Sequence, residues 1–121
     1  MLIDSNIIIY ASLPEFASLR EFITVNAPVV SAISYVEVLG YHKLTEAERL
    51  HFQKFFQAAS VLPLTNHILE EAIKLRQLRK ITLGDSLIAA TALVHHLTLV
   101  TRNTDDFDWI PSLALQNPID A

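Results

Sequence analysis

Cysteine is absent from the 121-residue chain, and glycine occurs only twice. Without cysteine, disulfides and thiolate zinc sites are excluded, so a bound metal would need carboxylate, carbonyl or imidazole ligands. Hard cations such as Mg²⁺ or Mn²⁺ suit that set of ligands best. Because two glycines and five prolines leave little material for linkers, residues 1–121 are predicted to form a single domain.

Basic charge and long hydrophobic runs are also scarce. Nine lysines and arginines against thirteen acidic residues give a formal net charge of −4. This balance argues against a general electrostatic footprint for nucleic acid, although it allows a local basic patch. No apolar run approaches the ~20 residues of a membrane span, and the first residues lack the pattern of a signal peptide. We therefore expect a cytoplasmic protein without a membrane partner.

Short β-type runs alternate with longer segments of helical spacing. The strand-like runs are residues 2–4, 28–31, 61–63, 97–101 and 113–116, and the helical segments are 16–25, 34–42, 45–59, 65–80 and 85–96. This alternation predicts a mostly parallel sheet covered on both faces, a three-layer α/β/α domain. Ligands of such sheets gather outside the carboxyl ends of the strands.

Three carboxylates lie in apolar surroundings, where an unpaired charge is costly. They are Asp4 in LIDSNIII, Glu37 in ISYVEVLGY and Asp85 in ITLGDSLIAATALV. Each has a simple structural explanation: Asp4 as a helix N-cap, Asp85 in the favourable field of a first helical turn, Glu37 as a solvent-facing side chain. Their positions in the predicted fold nevertheless bring all three to one edge of the sheet.

The segment TRNTDDFDW supplies candidates for a fourth acid. Asp106 is the first choice because Phe107 after it is expected to anchor the turn, whereas Asp105 and Asp108 are interpreted as surface charges. Asn103 is an alternative that would hold a metal-bound water through its amide. Clustered carboxylates repel one another unless a divalent cation offsets their charge. Such a cation binds phosphate oxygens and activates water, so the sequence predicts a phosphodiester substrate.

These motifs resemble those of the PIN-domain nucleases, in particular the VapC toxins of toxin–antitoxin pairs. The likeness covers LIDSNIIIYA, ISYVEVLGY, LGDSLIAATAL, LTLVTRNTDDF and LALQNP. It implies an Mg²⁺- or Mn²⁺-dependent endoribonuclease that cuts RNA, such as tRNA, acts as a homodimer and is inhibited by a VapB-like antitoxin.

The resemblance also implies roles for individual residues. Asp4, Glu37 and Asp85 match the family's three acids, with direct metal contact from Asp4 and Asp85. Many members have aspartate where this chain has Asn103, whereas others have asparagine there and an acid three residues later, as Asp106 is here. The positions that orient ligands or water match Ser5, Asn6 and Thr101, and more weakly Ser34.

Two surfaces are candidates for partners. The basic residues Arg76, Arg79, Lys80, Lys43 and Arg102 are interpreted either as contacts to RNA phosphates or as a solvated face. Tyr10, Tyr41 and the hydrophobic segment 51–56 are a candidate groove for an antitoxin helix.

Other function classes fit less well. A phosphatase that forms a phospho-aspartate needs a second aspartate two residues after the first and a nearby lysine, but this chain has Asn6 and no lysine after a strand. A receiver module needs adjacent acids before its phosphoacceptor, which LIDSN lacks. The alternative that stays open, because of Asn103, is a catalytically weakened PIN-fold module that binds RNA or protein.

Overall fold

The computed structural model describes residues 1–119. The strands are β1 (Leu2–Ile3), β2 (Val29–Ser31), β3 (Val61–Leu62), β4 (Leu99–Val100) and β5 (Leu115–Gln116). The α-helices are α1 (Ser5–Ala11), α2 (Ala17–Asn26), α3 (Ala32–Leu39), α4 (Glu46–Ala58), α5 (Asn66–Leu78) and α6 (Leu83–Val94). Two short 3₁₀ turns, Pro14–Phe16 and Thr104–Asp106, complete the elements.

The five strands form one sheet in the order β3-β2-β1-β4-β5. Each of the four described pairings is parallel, with Leu2 opposite Val29 and Leu99 in the centre of the sheet. All strands therefore end at the same edge. The chain leaves that edge at Asp4 after β1 and at Thr101 after β4.

Each face of the sheet carries its own hydrophobic core. Leu2 and Leu99 point into a core with α5 and α6, whereas Ile3 and Val100 point into a core with α1, α2 and α4. Alternate residues of a strand face opposite ways, so two-residue strands suffice to fill both cores. All four side chains are fully buried, and each contributes about 1.5–3 kcal/mol. The predicted three-layer α/β/α fold is confirmed.

Helix boundaries differ from the predicted ones at the two helices that carry acids. Helix α3 begins at Ala32, two residues earlier than predicted, because the side chain of Ser31 accepts the Ile33 N–H (3.2 Å). Helix α6 begins at Leu83 rather than Asp85, because Thr82 caps it. Both caps satisfy N–H groups that the helix itself leaves without partners.

The ends of several helices depend on residues other than glycine. The predicted capping box at Thr45 and Glu48 is present at the start of α4. Ala27 and His96, which follow α2 and α6, take positive φ angles of 42° and 55°, a region that favours glycine. No helix within residues 1–119 has the length and apolar character needed to cross a membrane.

Candidate active site

Asp4 follows the central strand directly and caps helix α1. Its Oδ1 accepts a hydrogen bond from the Ser5 N–H (2.7 Å), and its Oδ2 accepts one from the Thr101 hydroxyl (2.8 Å). Only 6% of the residue is exposed. The interpretation of Asp4 as a helix cap is therefore correct, but capping needs one carboxylate oxygen and no burial. It leaves the buried charge unexplained.

The charges of the four predicted acids act on one another. The pKa of Asp4 is raised from 3.8 to about 6, mainly by burial and also by the charges of Asp85 and Glu37, against the lowering effect of its two hydrogen bonds. The pKa of Asp85 is also raised, by burial first, then by the charge of Asp106 and that of Glu37. The fold thus gathers Asp4, Glu37, Asp85 and Asp106 in one region.

Glu37 is exposed, but a chain of hydrogen bonds through Ser5 connects its carboxylate to Ser34. Its Oε1 lies 2.7 Å from Ser5 Oγ, which lies 2.9 Å from Ser34 Oγ. Because a carboxylate only accepts and a hydroxyl has one proton, Ser5 donates to Glu37 and accepts from Ser34. Ser34 is fully buried, so the chain of hydrogen bonds fixes Glu37 to a rigid part of the fold.

Gly84 was not predicted to belong to the site. A Cβ at this position would overlap Oε2 of Glu37 and lie 3.1 Å from its Cδ. The available signal was that one of only two glycines in the chain directly precedes Asp85. The structure places it inside α6, where glycine costs about 1 kcal/mol relative to alanine.

Asp85 and Asp106 reach the region from α6 and from the turn after β4. Asp85 lies in the first turn of α6, where its N–H donates to Thr82 Oγ1 (3.2 Å). Asp106 ends the second 3₁₀ turn, and Phe107 after it is 1% exposed. Phe107 therefore anchors the turn as predicted. Asp105, Asp106 and Asp108 are all exposed, so what distinguishes Asp106 is the effect of its charge on Asp85.

Thr101 links the polar side chains beside Asp4. Its Oγ1 accepts from the Asn103 N–H (3.1 Å) and from the Asn6 side-chain amide (3.4 Å) while its hydroxyl donates to Asp4. Thr101 is fully buried, whereas Asn103 is exposed. Asn6 Oδ1 is a buried acceptor without a hydrogen-bond donor. Such an oxygen is a natural partner for a ligand or water that enters the site.

The acids are not neutralised by basic side chains. The ion pairs of the described residues join Arg49 to Glu46 and Lys74 to Glu71, all outside the site. Within residues 1–119, no group of three or more histidine, cysteine, aspartate and glutamate side chains is spaced to hold a metal ion. Mg²⁺ commonly takes one or two carboxylates and keeps several waters. The set of oxygen donors fits that mode of binding, but not a cage of three or more carboxylates.

The basic residues that were predicted as one cluster lie in different surroundings in the structure. Arg76 and Lys80 line an open groove of about 490 Å³ together with Asp85 and Asp106. The Arg79 guanidinium lies 5.4 Å from the centroid of the Trp109 ring. Arg102 lies 4.7 Å from the centroid of the Tyr10 ring, and Lys43 is exposed in the segment after α3.

The predicted partner groove is present in part. Residues from α1, α2 and α4 line an apolar groove of about 210 Å³, which includes Ile8, Ile23, His51, Phe52 and Phe55. Tyr10 and Tyr41 do not line this groove. Tyr10 packs against Phe16 and Arg102, and Tyr41 packs against His42.

Comparison with known proteins identifies the family. The model of the PIN domain matches residues 1–112. A toxin–antitoxin complex from Klebsiella pneumoniae contains a chain 30% identical to this one, with a TM-score of 0.77 and coverage of 97% of this chain and 96% of that one. VapBC-1 from nontypeable Haemophilus influenzae gives 26% identity, a TM-score of 0.78 and the same coverage.

A third structure, DNA-bound VapBC from Salmonella typhimurium, has a TM-score of 0.86 over 97% of this chain and 96% of that one. At 21% identity, this likeness shows the fold alone. No curated protein sequence matches the chain. Because the family model spans nearly the whole sequence, the chain belongs to the PIN domain family.

Proposed function

We propose that the protein is a metal-dependent endoribonuclease and the toxin of a toxin–antitoxin pair. The observation that carries the proposal is the gathering of Asp4, Glu37, Asp85 and Asp106 from four chain segments at one edge of the sheet, with no basic side chain of residues 1–119 paired to them. Burying a carboxylate such as Asp4 costs stability. A cation bound during function accounts for the arrangement.

The residues present fit Mg²⁺ or Mn²⁺. The donors are hard oxygens, and the two acids with raised pKa, Asp4 and Asp85, would hold the ion. When bound, such an ion lowers the pKa of water and stabilises the charge that develops on a phosphoryl group. A buried acceptor, Asn6 Oδ1, would orient water in the same region.

The other residues keep the acids in place. Thr101 holds Asp4 through its hydroxyl, and Ser5 holds Glu37. The hydrogen bond from Thr101 favours the ionised form of Asp4. Asp106 stands on the turn anchored by Phe107 and adds negative charge beside Asp85.

The proposed antitoxin is supported by two similar structures, a toxin–antitoxin complex and VapBC-1. In this chain, the groove between α1, α2 and α4 would receive an apolar helix of the antitoxin, with Phe52 and Phe55 among the residues that line it.

A homodimer is a further proposal. It is supported by exposed hydrophobic residues on three helices that pack together: Val36 on α3, Ile73 on α5 and Leu83 on α6.

The test is RNA cleavage by the purified protein. We expect single-stranded RNA or tRNA to be cut with Mg²⁺ or Mn²⁺ and to stay intact with EDTA. Asp85→Asn should abolish cleavage, whereas Asp108→Asn, an exposed aspartate outside the site, should not. Equal cleavage in EDTA would refute the metal mechanism. A PIN-fold module without catalysis, the alternative kept open by Asn103, would bind RNA and cut it in neither condition.

Growth gives an independent test of the toxin role. Expression of the chain alone should arrest growth, expression of Asp85→Asn should not, and the small protein encoded beside the chain should relieve the arrest. Normal growth with abundant active enzyme would contradict the toxin role and leave the nuclease proposal intact.

A further inference from the structure

The groove that contains two of the acids is lined by side chains of both charges. Asp85 and Asp106 line it together with Arg76 and Lys80. Opposite charges within reach of each other normally form ion pairs, as Lys74 and Glu71 do on α5. Neither Arg76 nor Lys80 is in an ion pair within the part of the chain that the structure describes. The basic and acidic side chains therefore line the same groove without pairing with each other.

We propose that Arg76 and Lys80 each bind a phosphate of the RNA strand close to the phosphodiester that is cut. This proposal rests on the proposed function. An RNA strand carries one negative charge per nucleotide, and the acids of the site repel each of them. At the reacting phosphate the cation offsets this repulsion, but a neighbouring phosphate in the groove needs positive charge from the protein. Arg76 and Lys80 are the basic side chains that line the groove.

The surroundings of the basic residues distinguish this role from a purely structural one. Arg76 and Lys80 are both exposed and make no hydrogen bond to a described side chain or carbonyl group. Arg79, at the end of the same helix, stacks on Trp109 and does not line the groove. Cation–π stacking stabilises a partly buried aromatic ring. Arg79 is therefore a control of equal charge and similar position with a different task.

The size of the effect follows from counterion release. For a single strand, the logarithm of the binding constant falls with the logarithm of salt concentration by about 0.7 per phosphate contact. When the salt concentration falls from 1 M to 0.1 M, each phosphate contact therefore raises the affinity about fivefold. Loss of Arg76 or Lys80 should weaken binding about fivefold at 0.1 M salt and reduce the salt slope by about 0.7.

The experiment measures binding of a fluorescein-labelled single-stranded 12-nucleotide RNA of mixed sequence by fluorescence anisotropy, over a range of KCl concentrations. Asp4→Asn serves as the background, so that the RNA is not cut. In this background Arg76→Gln and Lys80→Gln should show the stated loss of affinity and slope. Arg79→Gln should change the affinity by less than twofold and leave the salt slope nearly unchanged. Thermal unfolding checks that all three variants are folded.

An equal loss in all three variants would mean that only overall charge matters, and no loss at Arg76 and Lys80 would mean that they do not touch RNA. Either result overturns the proposal. The wild-type cleavage assay separates it from the proposed function. Cleavage with no selective loss refutes the phosphate site alone, whereas selective loss without cleavage supports the site and refutes the nuclease.

Discussion

Replacing Asp4 by asparagine should stabilise the fold in metal-free buffer at neutral pH, although it should abolish cleavage. Burial is the main cause of the rise in the pKa of Asp4 from 3.8 to about 6. This difference corresponds to about 3 kcal/mol by which the ionised carboxylate destabilises the folded protein. Asparagine carries no charge and avoids that cost. It offers one acceptor oxygen instead of two, so one hydrogen bond worth about 1 kcal/mol is lost.

The expected net gain at pH 7.5 is therefore about 2 kcal/mol, or a rise in Tm of about 5–10 °C. The pH dependence has a definite sign. Between pH 3.8 and about 6, the folded protein keeps the proton of Asp4 while the unfolded chain has lost it. The stability of the wild type therefore falls as pH rises through this window. At pH 4.5 only about 1 kcal/mol of the cost remains, and the variant and the wild type should be equally stable.

Urea unfolding in EDTA at pH 7.5 and at pH 4.5 measures the difference in the free energy of unfolding between Asp4→Asn and the wild type at each pH. Asp108→Asn is the matched control, since Asp108 is exposed and its replacement should change stability by less than about 0.5 kcal/mol at either pH. Added Mn²⁺ should stabilise the wild type by mass action but not the Asp4 variant. The reasoning is refuted if Asp4→Asn destabilises the protein at pH 7.5, or if its gain is the same at both pH values.

Three further substitutions test other parts of the structure. Gly84→Ala should leave the circular dichroism spectrum unchanged, because the added Cβ displaces only the flexible end of Glu37. It should nevertheless lower the cleavage rate at least about tenfold, and an unchanged rate would contradict the contact between Gly84 and Glu37. Thr101→Val removes a hydrogen bond to Asp4, so urea unfolding should show a loss of about 1–3 kcal/mol. The pH of half-maximal cleavage should also rise, because the ionised carboxylate loses a donor, and an unmoved profile would argue against this link. Ala27→Gly relieves a φ of 42° and should raise the free energy of unfolding by about 0.5–1 kcal/mol; a decrease would show that the backbone is unstrained there.

Much of the fold could be predicted because its signals are local. Five short apolar runs alternate with amphipathic segments, and the sheet has five strands at those places. Helix α1 was harder to recognise, since the run Ile7 to Ile9 is β-branched and suits a strand equally well. Its helical state depends on the Asp4 cap and on packing of Ile7 and Ile8 against the sheet. The local sequence pattern does not determine how the layers pack against one another.

The candidate site was predictable where it depends on the ends of strands. Asp4 and Thr101 follow neighbouring parallel strands, so their meeting was implied by the topology. The support of Glu37 was not predictable in the same way. It depends on how α3 packs against α6, which brings Glu37 against Gly84. Contacts between helices that are distant in sequence require the tertiary structure.

The position of the acids explains how the fold tolerates them. The cost of about 3 kcal/mol at Asp4 is comparable to the stabilisation from one or two buried side chains such as Ile3 and Val100. These two residues precede Asp4 and Thr101 directly, so two neighbouring, fully buried strands hold the carboxylate and its hydrogen-bond donor. Neither residue can move without disturbing a core. The fully buried centre of the sheet thereby keeps the pocket in shape, and the cation of the proposed function would recover the stability lost at Asp4.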